Sequence, residues 1–322
     1  MRTHKSSQAG FSLVELMIVQ ALSAMLLFGV FQIFDANKRS SRLQHAYAEV
    51  QEAGRIAAEL LSRDIRMADY WGCAPDIESI SDNVDPAVNY DADHMDIVGQ
   101  DGLSGENDVG SGKSIGGIAV KEGTDIIIIR GANNLSGTKV VSPFMPNTSA
   151  VIKVNTNQPI ADGTIVIISD CTGGDRFVTT QPVDTGSQNI QHNSGDNGSH
   201  PQNKSPGSIS KTYNGSAQIL IPYKRQYFIG QNPDGDWSLY WESDGAVEEL
   251  VRNVDDLQFV YGADSNSDGS ADTFGEVGVI SDMDAVISVR ATFNAFSSDK
   301  IVAGESLNRV YSITANIRNR SL

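Results

Sequence analysis

Among the ionisable residues of this chain, Glu15 has the most unusual setting. It lies near the start of an apolar run, 11–34, whose only other polar interruptions are the uncharged Ser12, Gln20, Ser23 and Gln32. An isolated carboxylate in such a stretch costs several kcal/mol unless a partner meets it, so Glu15 reads as a charge-pairing group. Two cysteines, Cys73 and Cys171, lie too far apart in sequence for a CxxC redox pair, and no His/Cys cluster has zinc-ligand spacing. A third constellation is Asp264-Ser265-Asn266-Ser267-Asp268-Gly269-Ser270-Ala271-Asp272. Oxygens at alternate positions, then a glycine, match the first half of an EF-hand-type calcium loop. Asp264, Asn266, Asp268 and Asp272 are its candidate Ca²⁺ ligands. The twelfth position is Gly275 instead of a bidentate Glu, and Glu276 comes one residue late. The simpler reading is a solvated turn between strands.

Catalytic signatures are thin. Asn107–Ser114, in numbers 107–114, ends in Gly112-Lys113-Ser114 like a phosphate-binding loop, but Asn107 replaces the first glycine and no strand-to-helix context surrounds it. His45, His94, His192 and His200 fall in unrelated contexts, with no HExxH motif and no GxSxG elbow. The sequence reads as non-enzymatic.

The elements that position these groups begin with the apolar run itself. As a helix, 11–34 extends about 35 Å, enough for the ~30 Å hydrocarbon core of a bilayer. Arg2, His4 and Lys5 precede it without an acid, which keeps 1–10 on the cytoplasmic side. No small-residue cleavage site follows the run, unlike an ordinary secretory signal. From 35 to 67 there is no proline, and Gly54 is the lone glycine. Leu43, Tyr47, Val50, Ala57 and Leu61 recur at helical spacing between charged residues. The expectation is one long helix, 11–34 in lipid and 35–72 amphipathic, ending near the Gly and Pro of 70–75.

From 73 to 322 the texture becomes that of a β-rich head. Strands are predicted at 125–130, 151–154, 164–169, 177–180, 225–229, 238–241, 257–261, 286–296 and 310–317. Asn232-Pro233-Asp234-Gly235-Asp236 makes a hairpin turn between two of them. The polar stretches 99–117 and 184–215 read as long surface loops or mobile segments. The fold class is α+β, a helical spine on a largely antiparallel sheet. In an exported head the simplest outcome for the cysteines is one disulfide, Cys73–Cys171, tying the spine's end to the sheet; two unpaired thiols are the alternative.

Formal net charge is −16. Residues 1–66 carry eight Lys/Arg against six Asp/Glu, so residues 67–322 hold sixteen against 34, a net −18. A head of that sign stays soluble and repels phosphate backbones, which argues against general nucleic-acid binding.

Gly10-Phe11, the acid at Glu15 and the apolar helix together resemble the type III signal of type IV pilins and pseudopilins. The resemblance implies cleavage between Gly10 and Phe11 by a prepilin peptidase, with methylation of the new N-terminus; 1–10 is then a leader. The amine of Phe11 would stand beside a membrane carboxylate, and in pilins the matching Glu is thought to meet the N-terminus of a neighbouring subunit. Further segments resemble the PilW family of minor pilins. They are Glu52-Ala53-Gly54-Arg55, residues 63–73, Ser169-Asp170-Cys171, 249–264, Asp268-Gly269, 286–290 and Asn316-Ile317-Arg318-Asn319-Arg320. Asp69 departs from the pattern, which expects a small residue there.

The resemblance implies a type IV pilin-like fold and a low-abundance subunit that helps initiate pilus assembly at or near the tip. It implies an inner-membrane anchor, a single pass with a periplasmic head, and later residence in the pilus at the cell surface. The implied partners are other minor pilins, the major pilin and a PilY-type tip protein. A minor pseudopilin of a type II secretion system is the alternative in the same class. An adhesin, a DNA-uptake pilin or an anchored exported enzyme come from other classes.

Overall fold

A computed structural model describes residues 12–89, 101–195, 200–302 and 304–320. A single α-helix, Leu13–Arg66, runs for 54 residues without interruption, as the absence of proline allows. Its first part stands clear of the head, with Leu13, Met25, Phe28 and Phe34 all more than 60% exposed. It is long and apolar enough to cross a membrane. Its second part buries Ala46, Val50, Ala53, Gly54, Ala57, Leu61, Asp64 and Ile65, a stripe at spacings of three and four. Tyr47, expected on this face, is exposed, and its smaller neighbour Ala46 is buried instead. The helix stops at Arg66, earlier than expected, because Asp69 takes a left-handed φ of 61° and Gly72 one of 78°.

The helix packs chiefly on a four-stranded antiparallel sheet in the order Thr273–Gly275, Val254–Ala263, Val286–Val302, Glu305–Asn316. The helix also touches an eight-stranded sheet built around the long strand Gln218–Gln231. That strand pairs antiparallel with Ile165–Asp170, Ile126–Asn134 and Trp237–Ser243. Ala246–Arg252 closes one side and Gly173–Val178 with Ile80–Asp82 the other; this last pairing is parallel. The turn at Asn232–Asp236, residues 232–236, closes the hairpin as expected, with Asn232 N–H donating to the Asp236 carbonyl at 2.9 Å.

One apolar core joins the spine to both large sheets through Leu61, Ile65, Ile129, Tyr227, Leu257 and Phe293. A second gathers Ile152, Val154, Ile168, Phe177, Ile190, Ile209 and Tyr213 at a distance from the spine. This second core corrects the expectation for 184–215. The described part of that stretch is no solvated loop, since Ile190, His192, Asn203, Ile209 and Tyr213 are all buried. Likewise 101–117 supplies the strand Leu103–Glu106 and the buried Leu103, Val109 and Ile115. In both stretches the apolar residues sit singly among Gly, Ser and Asn, without the run or alternation by which a strand is recognised.

Candidate functional site

Glu15 lies in the first turn of the spine helix and is exposed. An acid there suits the positive end of the helix dipole, an effect of about 0.5 kcal/mol that does not offset a membrane location. Gly10 and Phe11, the residues of the expected cut, lie outside the described residues. The functional geometry visible here is therefore an apolar helix half that is free to pack elsewhere, and the seat that holds its other half in the head.

That seat is a series of specific contacts along one face of the helix. Near the membrane side, Glu49 accepts from Asn253 Nδ2 at 2.7 Å and from Ser298 Oγ at 3.1 Å. Next, Gly54 lets the ring of Tyr311 lie directly on the helix backbone, and Tyr311 Oη donates to the Val50 carbonyl at 3.1 Å. Tyr311 in turn stacks on Phe293, with ring centroids 5.7 Å apart.

At the last turn, the buried carboxylate of Asp64 accepts from Tyr227 Oη at 2.6 Å, Arg225 Nη1 at 2.8 Å and Arg63 Nε at 3.0 Å. Arg225 is sandwiched by the rings of Tyr223 at 4.4 Å and Trp241 at 4.9 Å, which desolvates the guanidinium and fixes its fork on the acid. Burial, and then the Asp64 charge, hold the Tyr227 phenol far above its ordinary range, so it stays a donor. Burial also pushes Tyr223 up to about 12. Asp64 was not singled out from sequence. Its one signal was a carboxylate on the apolar stripe, three residues after Leu61.

Beyond the helix, Asp69 fastens the spine's end to the chain's C-terminal segment. Its carboxylate accepts from Trp71 Nε1 at 2.7 Å and Arg320 Nε at 2.6 Å, while its own N–H donates to the Arg130 carbonyl at 2.9 Å. The positive φ at this position suits Asp, whose short polar side chain tolerates it, and explains the departure from a small residue. Arg320 also reaches Asp284 at 3.0 Å. Cys73 and Cys171 are joined as a disulfide across 98 residues of chain, next to the buried Trp71.

The other sequence candidates fall elsewhere. In the 264–272 loop the Asp264 carboxylate accepts from the N–H groups of Asn266, Asp268 and Gly269 at 2.7–3.3 Å. Asp272 accepts from Ser265, and Asn266 Nδ2 donates to both Asp268 and Asp272. Desolvation pushes the Asp264 carboxyl up, but the backbone donors of Gly269, Asp268, Asn266 and Ser267 together outweigh it and hold the group below its ordinary range. The oxygens are thus turned onto the loop's own donors. Among the described residues no group of three or more His, Cys, Asp or Glu side chains is placed to hold a metal ion.

Lys113 of the phosphate-loop mimic is paired with Glu106, and Ser114–Ile115 opens a two-stranded ribbon instead of a helix. His45 is on the spine, His192 is buried between the carbonyls of Gly207 and Ala150, and His200 is exposed; His94 lies outside the described residues.

A free apolar helix headed by one acid, continuous with a half seated in a disulfide-tied β-rich head, defines a type IV pilin-like protein. Residues 5–31 match the prokaryotic N-terminal methylation motif, and residues 226–319 match the family described as type IV pilus-assembly protein W. The chain is thus similar to PilW-family pilins that carry a prepilin-type signal, through two matches that together cover less than half of its length. The second match contains Arg225's neighbours Tyr227 and Trp241, together with Asn253, Ser298 and Tyr311, so it covers most of the head side of the seat. No curated protein and no solved structure matches the chain.

Proposed function

We propose that this protein is a minor pilin that helps to initiate type IV pilus assembly and stands at or near the pilus tip. In this reading a prepilin peptidase cuts between Gly10 and Phe11. The mature chain waits in the inner membrane on one pass of helix, head on the periplasmic side, before joining the filament. Glu15 then pairs with the N-terminal amine of a neighbouring subunit, since two opposite charges in a low dielectric are far better than either alone. Its partners are other minor pilins, the major pilin and a PilY-type tip protein. Its role is structural, with no reaction of its own.

The observation that carries the reading is that one unbroken helix, Leu13–Arg66, bears the methylation-motif match at one end and is seated at the other in the region matching the pilus-assembly family. A deletion strain tests it: loss of surface pili with protein secretion intact is expected. Lost secretion with pili intact would transfer the protein to a type II secretion system. Mass spectrometry of the membrane-extracted protein should find a methylated Phe11 N-terminus, and a chain still starting at Met1 with the peptidase present would overturn the processing step.

A further inference from the structure

On the solvent side of the spine's last turn lies a cleft of about 370 Å³, lined by Glu59, Ser62, Arg63, Arg66, Met67 and Arg318. Three guanidinium groups and one carboxylate line it, a local positive patch where the end of the spine adjoins a head whose residues 67–322 carry a net −18. Glu59 is itself within 3.5 Å of Arg55, which weakens it as a neutralising group. Arg63 commits its Nε to Asp64 but keeps a side chain that is 60% exposed. Arg66 and Arg318, brought together by the Arg318 N–H bond to the Arg66 carbonyl at 3.1 Å, have exposed side chains without an acid partner among the described residues. Met67, 37% exposed, supplies an adaptable apolar surface beside them.

We propose that this cleft receives a carboxylate-rich segment from the head of a neighbouring pilin subunit in the filament. The inference rests on the pilin reading above. Guanidinium forks suit carboxylates and hold them two-pronged, which a diffuse charge would not. The cleft sits at the junction of spine and head, on the same helix whose exposed half is offered to neighbouring subunits, so an acid docked here continues that contact outward. A polyanion such as nucleic acid fits poorly, because the acidic head around the cleft repels an extended phosphate chain. Cations near a helix C-terminus also complement its dipole, and the test must separate that structural role from docking.

The experiment replaces the native gene with full-length Arg66→Glu/Arg318→Glu, leaving Arg63 to hold Asp64, and measures the protein in membranes and in sheared filaments. Membrane level and melting temperature are expected to match wild type, while incorporation into filaments falls about tenfold or more, the size of a reversed ionic contact. Arg66→Lys/Arg318→Lys should keep most of the incorporation. If the Glu variant is unstable, Arg66→Gln/Arg318→Gln removes the charge without reversing it and should fall in the same direction. A variant that incorporates like wild type, or one whose only defect is a lowered melting temperature, overturns the proposal. A photoreactive residue at Ser62 in assembled filaments should attach to an Asp- or Glu-bearing peptide of another pilin subunit; attachment to nucleic acid or lipid overturns it. Wild-type protein absent from sheared filaments would overturn the pilin reading, and this inference with it. Wild type present alongside an equally abundant Glu variant overturns the cleft alone.

Discussion

Replacing Gly54 by alanine tests whether the spine is seated as closely as the geometry states. A Cβ on Gly54 would lie 2.2 Å from Cε2 and Cζ of Tyr311 and 2.6 Å from Cε1. Carbon atoms prefer about 3.5–4.0 Å, so the ring or the helix must retreat by more than about 1 Å. The ring cannot swing away freely. It is stacked on Phe293, its phenol is bonded to the Val50 carbonyl, and its strand is paired with Val286–Val302. Overpacking of this kind costs about 1–3 kcal/mol, and losing the phenol bond adds about 1 kcal/mol. Against this, alanine in a helix interior is favoured over glycine by about 1 kcal/mol.

The net expectation is a loss of about 2 kcal/mol, a fall of roughly 4–8 °C in melting temperature for a head of this size. Thermal unfolding of the full chain in detergent, followed by near-ultraviolet circular dichroism, reads it directly. The same substitution in a Tyr311→Leu background should be close to neutral, which assigns the penalty to the ring by a double-mutant cycle. A Gly54→Ala protein that melts higher than wild type would show helix propensity winning, and would refute the close approach.

Asp64→Ala removes the acceptor of Tyr227 and leaves Arg225 half-buried without its acid, so a loss of about 3–5 kcal/mol is expected by the same unfolding assay. An unchanged melting temperature would refute the anchoring role. Reducing Cys73–Cys171 frees a loop of 98 residues, worth about 4.7 kcal/mol in the chain-entropy model, and should lower the melting temperature well below that of the oxidised protein. Non-reducing peptide mapping of exported protein should recover the linked pair, and alkylatable thiols at both positions would count against it. Millimolar Ca²⁺ is expected to leave the melting temperature unchanged, because the 264–272 oxygens are bonded to their own loop; a rise that Asp268→Ala abolishes would establish the calcium loop instead. Glu15→Ala should leave the protein in the membrane and impair its assembly, and normal incorporation of that variant would overturn the charge-pairing role.

How much of this was legible in the sequence follows from the range of the interactions. The unbroken helix, the apolar half that is long enough to cross a membrane, the hairpin at 232–236 and the main strands depend on composition within a few residues, and they read correctly. The cysteine pair was legible because only two cysteines exist. The second core was not, since Ile190, Ile209 and Tyr213 are apolar residues isolated in polar sequence and meet their partners only through tertiary packing. Neither was the Asp64 anchor, whose partners Arg225 and Tyr227 lie more than 160 residues away. A carboxylate on an amphipathic helix looks like one more solvated charge until the opposing sheet is in place. Asp69 illustrates the converse: it stood out as a departure, and its left-handed backbone and its bond to Arg320 supply the reason.

These idiosyncratic contacts have a common consequence for the register of the spine. The buried apolar residues Ala46, Val50, Ala53, Ala57, Leu61 and Ile65 succeed one another every three or four positions. A slip of four residues would therefore exchange Ala53 for Ala57 and Leu61 for Ile65, with little change in apolar burial. The three specific contacts do not survive such a slip. In one direction Ala58 would replace Gly54 beneath Tyr311, Ala53 would replace Glu49 opposite Asn253, and Ala68 would replace Asp64 opposite Tyr227 and Arg225. In the other direction Val50 would replace Gly54 beneath Tyr311, His45 would replace the carboxylate of Glu49, and Leu60 would replace Asp64, leaving Tyr227 and Arg225 without their acid. A buried charge is a poor source of stability compared with a packed hydrocarbon, but fixing register is its best-attested use. A helix rises about 1.5 Å per residue, so a slip of four residues would move Glu15 by about 6 Å relative to the head. On the proposed pairing of Glu15 with a neighbouring subunit's amine, such an error would carry the acid away from its partner. Gly54, Glu49 and Asp64 supply the definition that the repetitive apolar stripe lacks.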